Sequence, residues 1–185
     1  MKFLILIQIC AVFAQIAPNN RGYYWRDYKY KIPEDAVSCG KDSTGGETYI
    51  GQAYVHIDGI IVAQIFPAAK EIFVSSYGLK KATMAVKILC SKNKDKFEWL
   101  RTNSKYFHVN VTDRNPVIGG FNHRELHKGM LHIGRVVHHV EARIGSVDGF
   151  LENAKMNYVH GTTIQTADDF EVLLYNTKDD YEIKL

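Results

Sequence analysis

Two stretches of the sequence decide the fold: "TYIGQAYVH" (residues 48–56) and "LHIGRVVHH" (131–139). In both, Ile-Gly is followed by a polar residue and then by apolar or aromatic residues, and a histidine closes the stretch. Their glycines, Gly51 and Gly134, lie 83 residues apart. A motif that recurs once at such a distance indicates an internal repeat, and a repeat has to be settled before any site is assigned.

Four further pairs of segments extend this repeat in the same order. They are "SCGKD" (38–42) with "IGGFN" (118–122), "VAQIF" (62–66) with "IGSVD" (144–148), "FVSSYG" (73–78) with "MNYVHG" (156–161), and "VKIL" (86–89) with "EVLL" (171–174). Each pair alone is a weak match, but five ordered matches favour duplication over coincidence. The sequence therefore predicts a first repeat over 22–92 and a second over 93–185.

Apolar residues alternate with polar ones along most of the chain, which is typical of half-buried strands. In "MAVKILC" (84–90) and "FEVLLY" (170–175), every second residue is apolar. The runs "GIIVAQIFP" (59–67) and "IFVSSYG" (72–78) are bounded by Pro and Gly, as short strands are. We expect an all-β fold of two tandem, pseudo-symmetric antiparallel sheet repeats.

The first residues, "MKFLILIQICAVFA", combine Lys2, an apolar run and small residues near its end. This order predicts a secretory signal peptide over 1–14, cleaved after Ala14 or, as the alternative, after Ala17. A buried N-terminal strand or helix is the competing interpretation. No later run approaches the roughly 20 apolar residues of a membrane span. We expect a secreted, extracellular protein with no membrane span.

Export determines how the cysteines and the "NVT" triplet are interpreted. Cys10 falls within the signal peptide, so Cys39 and Cys90 remain, and an oxidising compartment favours a disulfide between them. Asn110 in "NVT" is a candidate glycosylation site, expected to be exposed in the connection between the repeats, although such triplets also occur by chance.

Composition and motifs argue against several functional classes. The net charge of +3 and the lack of an extended basic stripe do not indicate nucleic-acid binding. In "HRELH" (123–127), Arg124 occupies the place of the catalytic glutamate of a zinc motif, so His123 and His127 predict a polar loop more than a metal-dependent hydrolase. Strand geometry keeps His132, His138 and His139 from sharing one metal ion. We therefore expect no enzyme, no cofactor and no metal.

A family resemblance follows from the order of the motifs. Trp25 to Ala53 read "W…IP.DAV.CG.D…TYIGQA", and a later strand ends in "YG"; the second half supplies "VIGG", "HIGRV" and "YVHG…FEVL". This pattern resembles the DM-nine repeat family over about Tyr23 to Tyr175. The resemblance implies tandem repeats with approximate two-fold symmetry. Some members are mannose-binding lectins of invertebrate innate immunity.

In the lectin-like members, acidic residues and a lysine hold sugar hydroxyls by charge-assisted hydrogen bonds. Carried over by position, the resemblance implies two sets of ligand-binding residues. They are Asp42, Asp58 and Gln64 in the first repeat, and Asn122, Glu141 and Ser146 in the second. Neutral residues stand at both lysine positions, and Asn122 stands at an acidic one. For the acidic residues, turn formation or a solvated strand end is the competing interpretation.

These observations predict a secreted, non-catalytic binding protein that recognises mannose-type glycans, weakly and mainly through the first repeat. Its partner would be a glycan or a cell-surface glycoprotein, with a role in innate immunity, and a homodimer remains open. The alternative is a secreted effector or interaction protein that keeps the scaffold but has lost sugar binding.

Overall fold

The computed structural model describes residues 22–67, 69–125 and 129–177. The predicted signal peptide (1–14), with Cys10, lies outside them. The first half of the chain forms β1 (Tyr23–Asp27), β2 (Ser38–Lys41), β3 (Glu47–Val55), β4 (Gly59–Ile65), β5 (Phe73–Ser75), β6 (Leu79–Lys81) and β7 (Met84–Ser91). The second half forms β8 (Phe97–Asn103), β9 (Ile118–Asn122), β10 (Met130–His138), β11 (Glu141–Asp148), β12 (Met156–His160), β13 (Thr163–Ala167) and β14 (Asp169–Tyr175). A short helix, α1, spans Phe107–Asn110, and 3-10 turns span Lys94–Lys96 and His123–Glu125.

The two halves have the same order of strands and share four antiparallel pairings in one large sheet. In the first half β3 pairs with β2, β4 and β7, and β7 pairs with β1. In the second half β10 pairs with β9, β11 and β14, and β14 pairs with β8. Gly51 lies opposite Ile88, and Gly134 lies opposite Val172 at the equivalent point. The predicted all-β fold of two tandem, pseudo-symmetric antiparallel repeats is confirmed.

The repeats join in one sheet and differ in how they end. A twelve-stranded sheet contains strands of both repeats, because β4 of the first pairs with β9 of the second. In the second repeat β12 pairs with β11 and extends this sheet to β13. Their counterparts β5 and β6 instead form a separate two-stranded sheet. The first repeat is therefore less continuous than the second.

The Ile-Gly motif has a packing reason in each repeat. A Cβ at Gly51 would lie 2.7 Å from the Ile65 side chain, and one at Gly134 would lie 2.6 Å from the Val147 side chain. Distances that short are forbidden contacts, so both strands need a glycine there for a neighbouring apolar side chain to pack against the backbone. The motif thus marks equivalent points in two cores.

The buried apolar residues form three clusters that follow the repeat symmetry. One belongs almost wholly to the first repeat and one to the second. The third, the middle core, takes equivalent residues from both, for example Ile50 with Ile133 and Val62 with Ile144. Burying this much apolar surface at the junction binds the halves together, because the hydrophobic contribution scales with the area removed from water.

The predicted disulfide between Cys39 and Cys90 is absent, and both buried cysteines are free. Cys39 belongs to the middle core and its Sγ lies 3.1 Å from Thr48 Oγ1, whereas Cys90 belongs to the core of the first repeat. Because the two side chains pack into different cores, they do not present their sulfur atoms to each other, as a disulfide requires.

The predicted glycosylation site, Asn110, is half-buried rather than exposed. It is the last residue of α1, between β8 and β9. Its Nδ2, the atom that would carry a glycan, donates a hydrogen bond to Thr102 Oγ1 at 3.0 Å. Glycosylation would have to break this bond, and it stays a prediction.

Candidate binding clefts

Two clefts open where the repeats meet, and the approximate two-fold relation between the repeats exchanges them. The first cleft has a volume of about 140 Å³ and is lined by Gln64, Phe66, Phe73, Arg143, Tyr158 and Gly161, among others. The second cleft has a volume of about 370 Å³ and is lined by Tyr77, Asn122, Glu125, Ser146, Asp148 and Asn157, among others. Equivalent residues, such as Gln64 with Ser146 and Gly161 with Gly78, take corresponding places in them.

Gln64 and Ser146 link the repeats by reciprocal hydrogen bonds. The Ile144 N–H donates to Gln64 Oε1 at 3.2 Å, and the Val62 N–H donates to Ser146 Oγ at 3.3 Å. Val62 is the counterpart of Ile144 as Gln64 is of Ser146, so each bond is the symmetric image of the other. Both side chains are buried and committed to the opposite repeat. Both residues therefore have a role in the junction, and their role as sugar ligands stays a prediction.

Of the six predicted ligand residues, Gln64 lines the first cleft, and Asn122 and Ser146 line the second. Gln64 of the first repeat lies in the same cleft as Arg143, the ion-pair partner of Glu141 in the second repeat. Asn122 and Ser146 of the second repeat share the other cleft with Ser76, whose hydroxyl donates to Asp58 of the first repeat. Each cleft takes walls from both repeats, and the binding role of the predicted residues stays a prediction.

Asp42 is a turn residue near the first cleft. Its Oδ1 accepts hydrogen bonds from the Thr44 hydroxyl at 2.7 Å and from the Thr44 and Gly46 N–H groups at 2.9 Å. The Thr44 hydroxyl and the Gly46 N–H hold the pKa of Asp42 below its usual range, and the charge of Arg143 adds to this. Turn formation, the competing interpretation of this aspartate, accounts for its bonds.

Glu141 and Arg143 form an ion pair beside the first cleft. Both are largely buried, and Glu141 also lies 3.8 Å from His160 Nε2. The Arg143 guanidinium carbon is 5.3 Å from the centre of the Phe66 ring. The predicted ligand carboxylate is thus already paired, and arginine and phenylalanine together narrow the first cleft.

Asp58 is a buried structural anchor. Its side chain has 0% exposure and accepts hydrogen bonds from Ser76 Oγ at 2.9 Å, Lys80 Nζ at 2.6 Å and Arg124 Nε at 2.8 Å. Burial opposes ionisation of this carboxylate, but the bonds from Lys80 and Arg124 outweigh it, so the pKa of Asp58 lies below its usual value. A carboxylate enclosed in this way cannot contact a sugar.

Asn122, also a predicted ligand residue, holds one wall of the second cleft. Its Nδ2 donates to the Tyr77 hydroxyl at 2.9 Å, and its Oδ1 accepts from the Arg124 N–H at 3.0 Å. The Arg124 guanidinium carbon lies 4.2 Å from the centre of the Tyr77 ring, a favourable cation–π distance. Tyr77 is nevertheless 56% exposed, so part of this fixed ring remains open to a ligand.

Asp148 is the carboxylate of the second cleft that sequence reasoning missed. Burial raises its pKa to about 6, although Asn157 Nδ2 donates to its Oδ2 at 2.8 Å, and the charge of Glu125 raises the pKa further. The alignment of "VAQIF" with "IGSVD" contained a signal, because Asp148 there matches Phe66. An acid in place of a phenylalanine that lines the other cleft marks a polar cleft in one repeat.

The histidine motifs do not assemble a metal site in the described part of the chain, where no three metal-ligating side chains converge. His123 begins a 3-10 turn, and its ring lies tilted towards the rings of Tyr54 and Phe121. His127 lies outside the described residues. His132 is half-buried, whereas His138 and His139 are exposed at a hairpin.

The architecture and the paired clefts define the chain as a two-repeat β protein. Comparisons with known proteins bear on its fold alone. The nematode sperm cell motility protein MFP2B has a similar structure, with a TM-score of 0.55 and 11% sequence identity. The match covers 84% of this chain and 46% of that protein, so the chain spans less than half of its neighbour's length. No family model and no curated protein sequence matches the chain. Within 22–67, 69–125 and 129–177, none of the helices has the length and apolar character needed to cross a bilayer.

Proposed function

We propose that the chain is a secreted, non-catalytic protein that binds mannose-type glycans through the second cleft. The observation that carries this proposal is the Asp148 carboxylate, half-buried in a cleft of about 370 Å³ beside the partly exposed ring of Tyr77. A carboxylate accepts hydrogen bonds from sugar hydroxyls, and an aromatic face packs against the apolar C–H face of a sugar ring.

Asp148 is oriented before any ligand arrives. Asn157 Nδ2 occupies Oδ2 of the carboxylate, and Asn157 Oδ1 in turn accepts from the Thr166 hydroxyl at 2.9 Å. A carboxylate accepts several hydrogen bonds, so capacity for sugar hydroxyls remains after this one. A side chain held in place loses little conformational freedom on binding, which favours affinity.

The aromatic wall is oriented in the same way from the other repeat. Asn122 fixes the Tyr77 hydroxyl, and Arg124 covers part of the ring while its own charge is held by Asp58. One wall comes from the first repeat and the carboxylate from the second, so the binding site exists only when both repeats are folded together. The resemblance to lectin-like DM-nine proteins supports a glycan as the ligand, and the N-terminal sequence supports secretion.

Calorimetric titration with mannose and mannose oligosaccharides tests this proposal. Replacing Asp148 by Asn keeps the shape but removes the charge, and we expect about a tenfold loss of affinity. Tyr77→Ala should cause a loss of similar size, since a ring contact is removed together with a hydroxyl. Asp42→Asn is the matched control, because it makes the same charge change outside the second cleft and should leave the affinity unchanged.

The outcomes separate the candidate functions. Loss of binding in Asp42→Asn with none in Asp148→Asn would place the site near the first cleft. Absence of binding by the unmodified chain across a glycan array would refute the lectin function and favour a protein-binding effector on the same scaffold.

A further inference from the structure

Strand β13 stands at one end of the large sheet and has an open edge. It pairs with β12 along one side, and no other strand of the described part of the chain pairs with its other side. It contains no charged residue and no proline, and its register with β12 runs without a bulge. Charges, prolines and bulges are the features by which natural proteins keep edge strands from pairing with other chains. The edge of β13 therefore lacks the usual protection.

The counterpart of β13 in the first repeat has this protection. Strand β6 is shorter, and it contains Lys80 and Lys81. If β6 met its own copy about a two-fold axis at its central residue, Lys80 would face the partner's Lys80, and like charges directly opposite each other are destabilising. The unprotected edge is thus a property of the second repeat and not of the shared fold.

The backbone groups on the open edge follow from the turn between β12 and β13. His160 lies opposite Thr163, so two residues form the turn and this closing pair exchanges its backbone hydrogen bonds. Hydrogen-bonded pairs alternate along an antiparallel ladder, so Gln165 also points its N–H and C=O groups at β12. The N–H and C=O groups of its neighbours, Ile164 and Thr166, therefore point away from β12. Outside the ladder with β12, the backbone hydrogen bonds of the described residues involve neither of them.

The ends of the described chain lie beside other strands. Gly22, just before β1, accepts a hydrogen bond from Ser91 of β7, and β1 and β13 stand at opposite ends of the sheet order. Asn176, just after β14, donates to the Lys96 carbonyl next to β8. Neither end of the described chain leads onto the edge of β13, which favours a separate chain as its partner.

We propose that β13 pairs with β13 of a second copy of this chain, antiparallel about a two-fold axis at Gln165. In this register Ile164 lies opposite the partner's Thr166, and their outward N–H and C=O groups bond to each other. The two-fold axis repeats this pair, so every outward group of the two residues is satisfied. Gln165 faces the partner's Gln165, and no like charges of β13 meet.

Because the open edge is complementary to itself, a second copy fits it better than an unrelated chain does. Addition of a strand to an exposed sheet edge is a common mode of recognition, in which main-chain hydrogen bonds provide the affinity. This interface does not depend on the proposed glycan binding.

Sedimentation velocity of the full chain over a range of concentrations tests the pairing. We expect a dimer that dissociates at about micromolar concentration, since one pair of short strands forms a smaller interface than permanent dimers have. In Gln165→Lys the dimer should weaken about tenfold or more, because two like charges then face each other across the axis. Val109→Lys is the matched control, because it adds the same charge at a side chain in α1 that is 70% exposed, and it should leave the dimer unchanged.

A mixture of two variants tests the register. Gln165→Lys and Gln165→Glu should each be largely monomeric alone and should form a heterodimer when mixed, because opposite charges then meet. Gln165 is exposed, so neither change should alter the Tm of the monomer. Hydrogen exchange of the Ile164 and Thr166 amides should slow as the concentration rises and the dimer forms.

Several results would overturn the proposal. They are a monomer at every concentration up to about 1 mM, a dimer that Gln165→Lys leaves intact, and a mixture of the two variants that stays monomeric. Protection of the Ile164 and Thr166 amides in a dilute, monomeric sample would also overturn it, since another segment of the same chain would then cover the edge.

Discussion

The two clefts occupy equivalent places in the two-fold arrangement, yet they differ in size and in charge. In the first, Phe66 and Arg143 lie against each other, and the cleft has a volume of about 140 Å³. In the second, Asp148 stands where the first has Phe66, and the cleft has a volume of about 370 Å³. A phenylalanine at this position fills space, whereas an aspartate leaves space and adds charge. One exchanged position can therefore retain the scaffold and change what a cleft is able to bind.

The carboxylates near the two clefts should differ most in their contribution to stability. Asp58, with 0% exposure, accepts from three side chains, whereas Glu141, beside the first cleft, has one close partner, Arg143. We expect Asp58→Asn to lower the free energy of unfolding by about 3 kcal/mol or more and Glu141→Gln by about 1.5 kcal/mol. Urea denaturation at pH 7 measures both, and equal losses would contradict the assignment of Asp58 as the anchor.

The change of folding stability with pH should reflect the ionisation of Asp148. Its pKa is raised to about 6, so the folded state holds this proton more tightly than the unfolded chain does. The contribution of this proton to folding stability is fully present below the unfolded pKa of about 3.9 and is lost as pH rises through about 6. Asp148→Asn should therefore raise stability at pH 7, by at most about 3 kcal/mol, with no gain near pH 4.

The same titration should govern the proposed ligand. Mannose affinity of the unmodified chain should fall as pH drops through about 6, because protonation removes the charge that accepts sugar hydroxyls. Asp148→Asn should lose this dependence. A pH-independent affinity in both proteins would mean that Asp148 does not contact the ligand.

The reciprocal bonds at the junction provide a smaller difference. Gln64 makes three hydrogen bonds, to Thr48, Ala142 and Ile144. Across the junction, Ser146 accepts one hydrogen bond, from the Val62 N–H. At about 1 kcal/mol each, Gln64→Ala should cost about 2 kcal/mol more than Ser146→Ala. Thermal denaturation of the two variants, compared side by side, measures this difference, and a reversed order would show that the bonds are not what holds the junction.

The smallest expected effect concerns the free cysteines. Burial raises the pKa of Cys39 to about 12 and that of Cys90 to about 11, so neither forms the reactive thiolate readily. Purified protein should show the same Tm with and without a reductant, and Cys39 and Cys90 should become alkylated only in denaturant. Peptide mapping without reduction that finds the two joined would contradict the structure.

The repeat itself could be predicted from sequence because its signals are local. Alternation along a strand fixes which side chains share a face, and the crowded glycines Gly51 and Gly134 mark the same point in each copy. The separate sheet of β5 and β6 could not be predicted in this way. The segment that contains β5 matches the segment that contains β12 in sequence, but only β12 pairs with a strand of the large sheet, which no local pattern records.

The clefts could not be predicted from the sequence for the same reason. Gln64 and Ser146 were correctly matched to each other, but their hydrogen bonds cross between repeats, which follows from the two-fold packing alone. The cysteines show a similar limit, since the disulfide was predicted from the expected compartment, whereas the separate cores that hold Cys39 and Cys90 follow from packing. Asp148 could have been identified from the sequence, because the aligned repeats match it with Phe66.

The middle core has a consequence for how this chain can change over time. Two separate identical chains meeting through such a core would carry every substitution twice, once in each pocket. A covalent tether removes that constraint and also keeps the partners at a high effective concentration, in the millimolar range for short linkers. One half can then lose a pocket while the other acquires one, as the exchange of Phe66 for Asp148 illustrates. The shared core thus makes the two halves fold together, while the covalent link lets each half carry substitutions of its own.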